Sequence, residues 1–282
     1  MTTSPSATVP AELLETVRTK HRALWASGDY PAVVANAVAG LGPVLVEACR
    51  LRPGETVLDV GAGSGNAAIP AALAGADVVA SDLTPELLDV GRELAAAQGA
   101  QLRWEQADAH ALPYPDGAFD VVMSCIGVMF APFHQLAADE LLRVTRHGGR
   151  VGVLSWTPDG FIGELFATLR PYAPPPPPGA QPPPLWGDES HVRDLLGDRV
   201  RHLHAETRTL TVDRFASGAE LRDFFKAAYG PMIATYRNVG DDAERAQQLD
   251  EELAALGDRY LTGHDGGSSM EWEYLLVTAE RR

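Results

Sequence analysis

Apolar positions recur at helical spacing between residues 11 and 26, where Leu13, Leu14, Val17, Leu24 and Trp25 fall close to one face. Pro10 suits the first turn of such a helix. The segment "SGDYP" (27–31) breaks the pattern, and a second apolar helix is expected over about 32–50. From residue 55 the rhythm shortens. "ETVLDV" (55–60), "DVVASD" (77–82), "AQLRWEQAD" (100–108), "FDVVMSC" (119–125) and "GRVGVLSW" (149–156) read as strands, with helical segments near 65–75, 85–98 and 133–146 between them. This alternation predicts a parallel sheet with helices on both faces. Pro70 is a misfit inside the first of these helices and predicts a kink. Two more strands, "VRHLHAETRTLTV" (200–212) and "MEWEYLLVTAE" (270–280), flank a helical stretch.

The run "PYAPPPPPGAQPPPLWG" (171–187) interrupts this order. Its prolines favour an extended, semi-rigid strap in a cap over the sheet, with recruitment of a proline-binding module as the alternative.

Composition narrows the possible partners. The 282 residues carry a formal charge of −15, from 38 acidic and 23 basic side chains, with no Lys/Arg run. Such a surface repels a phosphate backbone, so no nucleic-acid partner is expected. The two cysteines, Cys49 and Cys125, form neither a disulfide framework nor a metal-binding spacing. A reducing, cytoplasmic location is expected. The start "MTTSPSATVP" has neither the basic residues nor the apolar stretch of a signal peptide. No apolar run approaches the ~18 residues of a membrane span.

The chemistry gathers at the ends of the predicted strands. In an open parallel sheet, ligands bind beyond the carboxyl ends. There, after the first strand, lies Gly61-Ala62-Gly63-Ser64-Gly65. A bare backbone lets a ligand approach closely, and the following helix start offers free N–H groups. The spacing departs from the dinucleotide pattern G-x-G-x-x-G, because the third glycine comes one residue early and Asn66 takes its place. Asp82 ends the second strand, where a carboxylate can accept both hydroxyls of a ribose. Asp108 ends the third strand, where it can accept from an adenine amino group. An adenosine-type ligand follows from these features together.

These residues resemble the class I S-adenosylmethionine-dependent methyltransferases, and within them the small-molecule branch related to the quinone-biosynthesis enzymes. "VLDVGAGSGNAA" is similar to the family's glycine motif and "VVASDLTPELLDVGR" to its ribose segment. "QADAHALPYPDGAFDVVMSCIGVMF" is similar to its adenine segment and fourth strand, and "ELLRVTRHGGRVGVLSWTPDG" to its fifth-strand motif. The resemblance covers about residues 50–160, with His147 standing where the family usually has proline. It implies a Rossmann-like, doubly wound α/β fold with a seven-stranded, mostly parallel sheet and an antiparallel last strand. The implied division is N-terminal helices (1–50), a cofactor-binding core (51–156), a proline-rich cap segment (157–200), and the last strands with a helical substrate-cap insert (201–282), one domain overall.

The resemblance also implies roles. Gly61, Ala62, Gly63 and Gly65 lie against the cofactor, and Asp59 orients its ammonium. Asp82 takes the ribose hydroxyls, and Leu83 packs on the adenine opposite Asp108 and Ala109. Cys125 and Ile126 supply backbone near the sulfonium, and Tyr30 closes over the methionine end. His110 and His134 are the candidate bases, being the histidines placed near the crevice, while His21, His191, His202, His204 and His264 have no positional argument. An amine acceptor needs no base. The expected partner is a small apolar or aromatic methyl acceptor, drawn from Phe130, Phe133, Trp156, Phe161, Phe166, Trp186, Phe224 and Tyr229 as pocket candidates. The attacked atom is undecided, no metal is implied, and a homodimer is left open. Two other readings remain: a nicotinamide-dependent oxidoreductase, and a non-catalytic cofactor-binding regulator.

Overall fold

The computed structural model describes residues 9–264 and 267–282. Its strands are β1 (Thr56–Val60), β2 (Asp77–Asp82), β3 (Arg103–Gln106), β4 (Phe119–Cys125), β5 (Thr145–Trp156), β6 (Val200–Val212), β7 (Thr262–His264) and β8 (Gly267–Arg281). Seven of them form one sheet in the order β3-β2-β1-β4-β5-β8-β6, and the short β7 pairs with β8. β1 to β5 pair in parallel, whereas β8 lies antiparallel between β5 and β6. This is the doubly wound sheet with an antiparallel last strand.

Strand position follows from composition. Val57, Leu58 and Val60 in β1, and Val121, Val122 and Met123 in β4, are buried, as central strands covered on both faces require. β6 carries Arg201, His204, Glu206 and Arg208 along the sheet edge, where charge discourages pairing with another chain. β3 is shorter than expected because Ala107–His110 turn out of the ladder, and β5 begins earlier, at Thr145.

The helices are α1 (Ala11–Trp25), α2 (Tyr30–Val33), α3 (Leu41–Ala48), α4 (Ala68–Leu73), α5 (Pro85–Ala97), α6 (His134–Val144), α7 (Phe161–Leu169), α8 (Glu189–Leu196), α9 (Gly218–Ala228), α10 (Gly230–Val239) and α11 (Ala243–Tyr260). The expected single helix over 32–50 is a correction. α2 runs into a π-helical turn at Val34–Val38, and α3 then departs at 73°. The break accompanies a tertiary contact. Gly42 lies so close to Asn66 that a Cβ would stand 1.8 Å from its carbonyl oxygen. Pro43 fits at the third position of α3, where no intrahelical acceptor awaits its missing N–H.

Pro70 does not kink its helix, because α4 starts at Ala68 and Pro70 occupies the first turn. Its missing N–H also leaves the Asn66 carbonyl without an i+4 donor, and Gly42 approaches that oxygen. The proline run is extended only in part. Pro183–Gly187 tighten into a 3-10 turn that buries Trp186 fully and seats Gly187 on the Trp156 backbone. Among the described residues, no single helix is long and apolar enough to cross a membrane.

Candidate active site

β1, β2 and β4 end side by side at the switch point where the chain order reverses across β1, and a cavity opens there. Its floor is the glycine turn. Gly63 has φ +55°, a conformation that strains side-chain-bearing residues, and a Cβ there would meet nothing within 4 Å. Gly63 therefore presents open backbone to the cavity. Gly65 answers to packing instead. It does not line the cavity, and a Cβ on it would stand 2.6 Å from the Trp104 ring. Gly61, Ala62 and Gly63 line the wall.

Asp82 fixes this turn. Its Oδ2 accepts the Gly63 N–H at 2.8 Å, and its Oδ1 accepts the Thr84 N–H at 2.8 Å. Burial raises its pKa, opposed by those N–H groups. Each oxygen keeps a further lone pair, and the side chain lines the cavity beside Leu83. Asp59 lies beneath the wall rather than on it. It is 1% exposed, and neither carboxylate oxygen has a hydrogen-bond partner among the described residues. Burial pushes its carboxyl up to about 8.

At the end of β3, Asp108 is held from two sides. Its Oδ1 accepts from the His110 backbone N–H at 2.9 Å and from His110 Nδ1 at 2.8 Å, and its Oδ2 accepts from Arg18 Nε at 3.1 Å. Burial raises this carboxyl, but those bonds outweigh it and bring it down to about 2. The Phe133 N–H donates to His110 Nε2 at 3.3 Å, which places the ring proton on Nδ1. Both nitrogens of His110 are thus occupied, although the ring and Ala109 line the cavity.

His134 is not brought to the cavity. It is fully buried at the start of α6, off the cavity wall, with Nδ1 3.0 Å from His191 Nε2. Burial, reinforced by His191, lowers its pKa to about 3. Conversely, His21 had no positional argument, yet α1 carries it to the cavity with Val17, Arg18 and Trp25. Burial lowers its pKa to about 4, His110 adding to the effect and Asp108 opposing it. The helical spacing of 17, 18, 21 and 25 is the signal that a face of α1 is turned inward.

Cys125 and Ile126 line the cavity at the end of β4. Burial raises the Cys125 thiol. Ile126 has φ +60°, a costly conformation for a β-branched residue, and its N–H donates to the Leu154 carbonyl at 2.8 Å. Tyr30 also lines the cavity, its hydroxyl accepting the Gly230 N–H at 3.2 Å, and burial raises its pKa. Beyond it the wall turns apolar, with Trp25, Phe130, Trp156, Phe225, Tyr229 and Trp272. Of the aromatic pocket candidates, Phe130, Trp156 and Tyr229 reach this wall, whereas Phe133, Phe161, Phe166, Trp186 and Phe224 do not. Among the described residues no cluster of three or more metal-ligating side chains occurs.

A glycine turn beneath a cavity, flanked by strand-end carboxylates at a switch point, defines an α/β protein built for a nucleoside cofactor. Residues 57–149 match a family model described as a methyltransferase domain. Uncharacterized protein Rv1405c of Mycobacterium tuberculosis is 50% identical over 273 residues, covering 97% of this chain and 98% of its own. A demethylmenaquinone methyltransferase of Thermus thermophilus is 40% identical over 104 residues, 36% of this chain and 47% of its own. The YcgJ protein of Bacillus subtilis has the same fold, with a TM-score of 0.58 at 18% identity over 86% of this chain and 98% of its own. The chain belongs to the class I S-adenosylmethionine-dependent methyltransferases. It is an enzyme with S-adenosylmethionine as cofactor, and the nicotinamide and non-catalytic readings are set aside. The residues fit that group: Gly63 leaves backbone open, Asp82 has lone pairs to spare, and Asp59 is a buried carboxyl group without a partner.

Proposed function

We propose that the enzyme methylates a small apolar or aromatic metabolite. One observation carries this reading: every charged or imidazole side chain on the cavity wall (Arg18, His21, Asp82, Asp108 and His110) is an α1 residue or lies at the end of β2 or β3, and the wall formed by Trp25, Val33, Val34, Val38, Phe130, Trp156, Ile162, Phe225, Tyr229 and Trp272 is uncharged. The demethylmenaquinone enzyme of Thermus thermophilus matches over the cofactor core, so its likeness bears on that end of the cavity.

In this reading Asp82 holds the ribose hydroxyls, Leu83 and Ala109 bracket the adenine, and Asp108, oriented by His110 and Arg18, faces its amino group. The backbone at Gly61–Gly63 and at Cys125–Ile126 runs along the amino-acid portion, with Tyr30 above it and Asp59 beneath. When bound, S-adenosylmethionine supplies a methyl group already activated on a sulfonium. The chain's own work is to orient the acceptor, exclude water and leave charge undisturbed. In the apolar half, Tyr30, Tyr229 and Cys125 all have raised pKa values through burial, so none serves as a base at neutral pH. His110 has no free nitrogen and His134 lies off the cavity. His21, lowered to about 4 by burial, is the neutral imidazole left on the wall, so the acceptor either gives its proton to His21 or enters as an amine or an already ionised thiolate, enolate or phenolate. A cytoplasmic location belongs to the same proposal.

The test is a calorimetric titration with S-adenosylhomocysteine beside Asp82→Asn, followed by labelled-methyl transfer from S-adenosylmethionine to an acceptor panel. A loss of about tenfold or more in cofactor affinity for Asp82→Asn is expected, because a charged hydrogen-bond acceptor is removed. Unchanged affinity would remove Asp82 as the ribose anchor. Labelling confined to charged, polar acceptors would overturn the apolar reading.

A further inference from the structure

His21 is half-buried on the cavity wall, and its ring makes no hydrogen bond to any described residue. Its nitrogens are not among the sealed, unpartnered atoms of the interior, as His134 Nε2 is, so they keep open surface. Its place on α1 fixes where the ring stands. About one turn before it, Arg18 bonds Asp108 at 3.1 Å, at the end of the cavity that fits the adenosine. About one turn after it, Trp25 packs on Phe130 in the apolar wall, with ring centroids 4.5 Å apart. A helical turn rises about 5.4 Å, so His21 stands at the seam between the two halves. The other polar groups around it are committed. Arg18 pairs with Asp108, His110 has both ring nitrogens bonded, and Asp82 holds the Gly63 and Thr84 N–H groups. Tyr30, Tyr229 and Cys125 keep their protons, since burial raises all three. Burial instead keeps His21 neutral, at about 4, with His110 adding to the effect and Asp108 opposing it.

We infer that His21 is the catalytic base, taking the proton from a hydroxyl group of the apolar acceptor, which is therefore an enol or phenol methylated on oxygen. The inference rests on the apolar-acceptor reading above and commits it to one of the routes left open there. The acceptor oxygen forms a bond to the methyl carbon, and the methyl–sulfur bond breaks with its electron pair left on sulfur. The O–H bond breaks with its pair left on oxygen, and the proton goes to a ring nitrogen of His21. Charge is moved and not created, because the imidazole gains the positive charge that the sulfur loses. The nearby Asp108 carboxylate favours that imidazolium. A base of such low pKa does not strip a phenol beforehand, so the proton leaves in step with methyl transfer. Afterwards the same low pKa returns the proton readily to solvent at neutral pH and readies the site again.

The experiment compares 2-naphthol with 2-naphthalenethiol, which share a ring system and differ in whether a proton must be removed. At about pH 7 the naphthol keeps its proton, as a phenol of pKa about 10 does, and the more acidic aryl thiol is largely ionised. Labelled-methyl transfer is read for wild type, His21→Phe and His21→Gln. Glutamine accepts a hydrogen bond but takes no proton. Both variants are expected to lose about a hundredfold in kcat on 2-naphthol and to stay within about twofold of wild type on the thiol. Both should bind S-adenosylhomocysteine as wild type does. With 2-naphthol the wild-type rate should be level from about pH 6 to about pH 8, while that of the variants rises about tenfold per pH unit as the naphthol ionises. Equal losses on naphthol and thiol would make His21 a packing residue and overturn the inference. A wild-type rate that itself rises about tenfold per pH unit overturns it without any variant. If His21→Phe does not fold, His21→Gln and the wild-type profile decide. Calorimetry on the protein saturated with S-adenosylhomocysteine separates two failures. Binding of 2-naphthol without its methylation overturns the inference and leaves the apolar reading in place. Binding of neither compound at millimolar concentration overturns both.

Discussion

Asp59 and His134 are both deeply buried polar side chains near the core motifs, and they predict different experiments. The Asp59 carboxyl is raised to about 8 by burial, from an ordinary value near 4. Between these values the folded chain keeps a proton that the unfolded chain releases, so stability is greatest below about pH 4 and falls as pH rises toward about 8. Asp59→Asn removes this dependence. Thermal melts from pH 5 to 8 should slope downward for wild type and less steeply for the variant, at about 2–4 °C per kcal/mol. Parallel slopes would mean that Asp59 is ionised throughout. His134 bonds His191 and stacks near Trp186, so His134→Phe should lower the melting temperature by several degrees, as loss of a buried hydrogen bond of about 1–3 kcal/mol does. S-adenosylhomocysteine affinity should stay unchanged, and a large loss of affinity would return His134 to the site.

At the scale of elements, α1 deserves the same scrutiny. It lies outside the core motifs yet reaches them through Arg18 to Asp108 and Arg22 to Glu86, each at 3.1 Å. The first of these pairs joins residues 90 positions apart. This is why Arg18 and His21 were not legible in the sequence: periodicity shows that α1 has an apolar face, not which cavity that face covers. Trp272 escaped for the same reason, since it arrives on β8 from the far end of the chain. By contrast, Gly61, Gly63 and Asp82 were legible because a strand end, a turn and the next strand end are local features with fixed geometry. The 32–50 helix failed because its break depends on Asn66, a neighbour only in the folded molecule. Because Arg18 is part-exposed, its pair with Asp108 contributes little to stability but can hold α1 in place. Arg18→Met should speed dissociation of S-adenosylhomocysteine about two- to fivefold in stopped flow, in keeping with about 1 kcal/mol or less. An unchanged rate would mean that α1 is not the cover.

For the whole molecule, the sheet order places the carboxyl ends of β1, β2 and β4 under one roof built from α1, α2, α9 and the start of α10, with β8 closing the far wall. Asp82 and Asp108 stand at the cofactor end of that cavity, in a chain of net charge −15. This arrangement predicts electrostatic sorting of fresh from spent cofactor. S-adenosylmethionine carries one net positive charge and S-adenosylhomocysteine none, so the long-range field draws in the donor and is indifferent to the product. Raising salt from about 0.01 M to about 1 M shortens the Debye length from roughly 30 Å to roughly 3 Å. Association of S-adenosylmethionine should slow markedly over that range, while that of S-adenosylhomocysteine stays nearly constant. Equal salt dependence for the two would assign the selectivity to contacts alone. Turnover at low ionic strength should therefore be the less prone to stall on its own by-product.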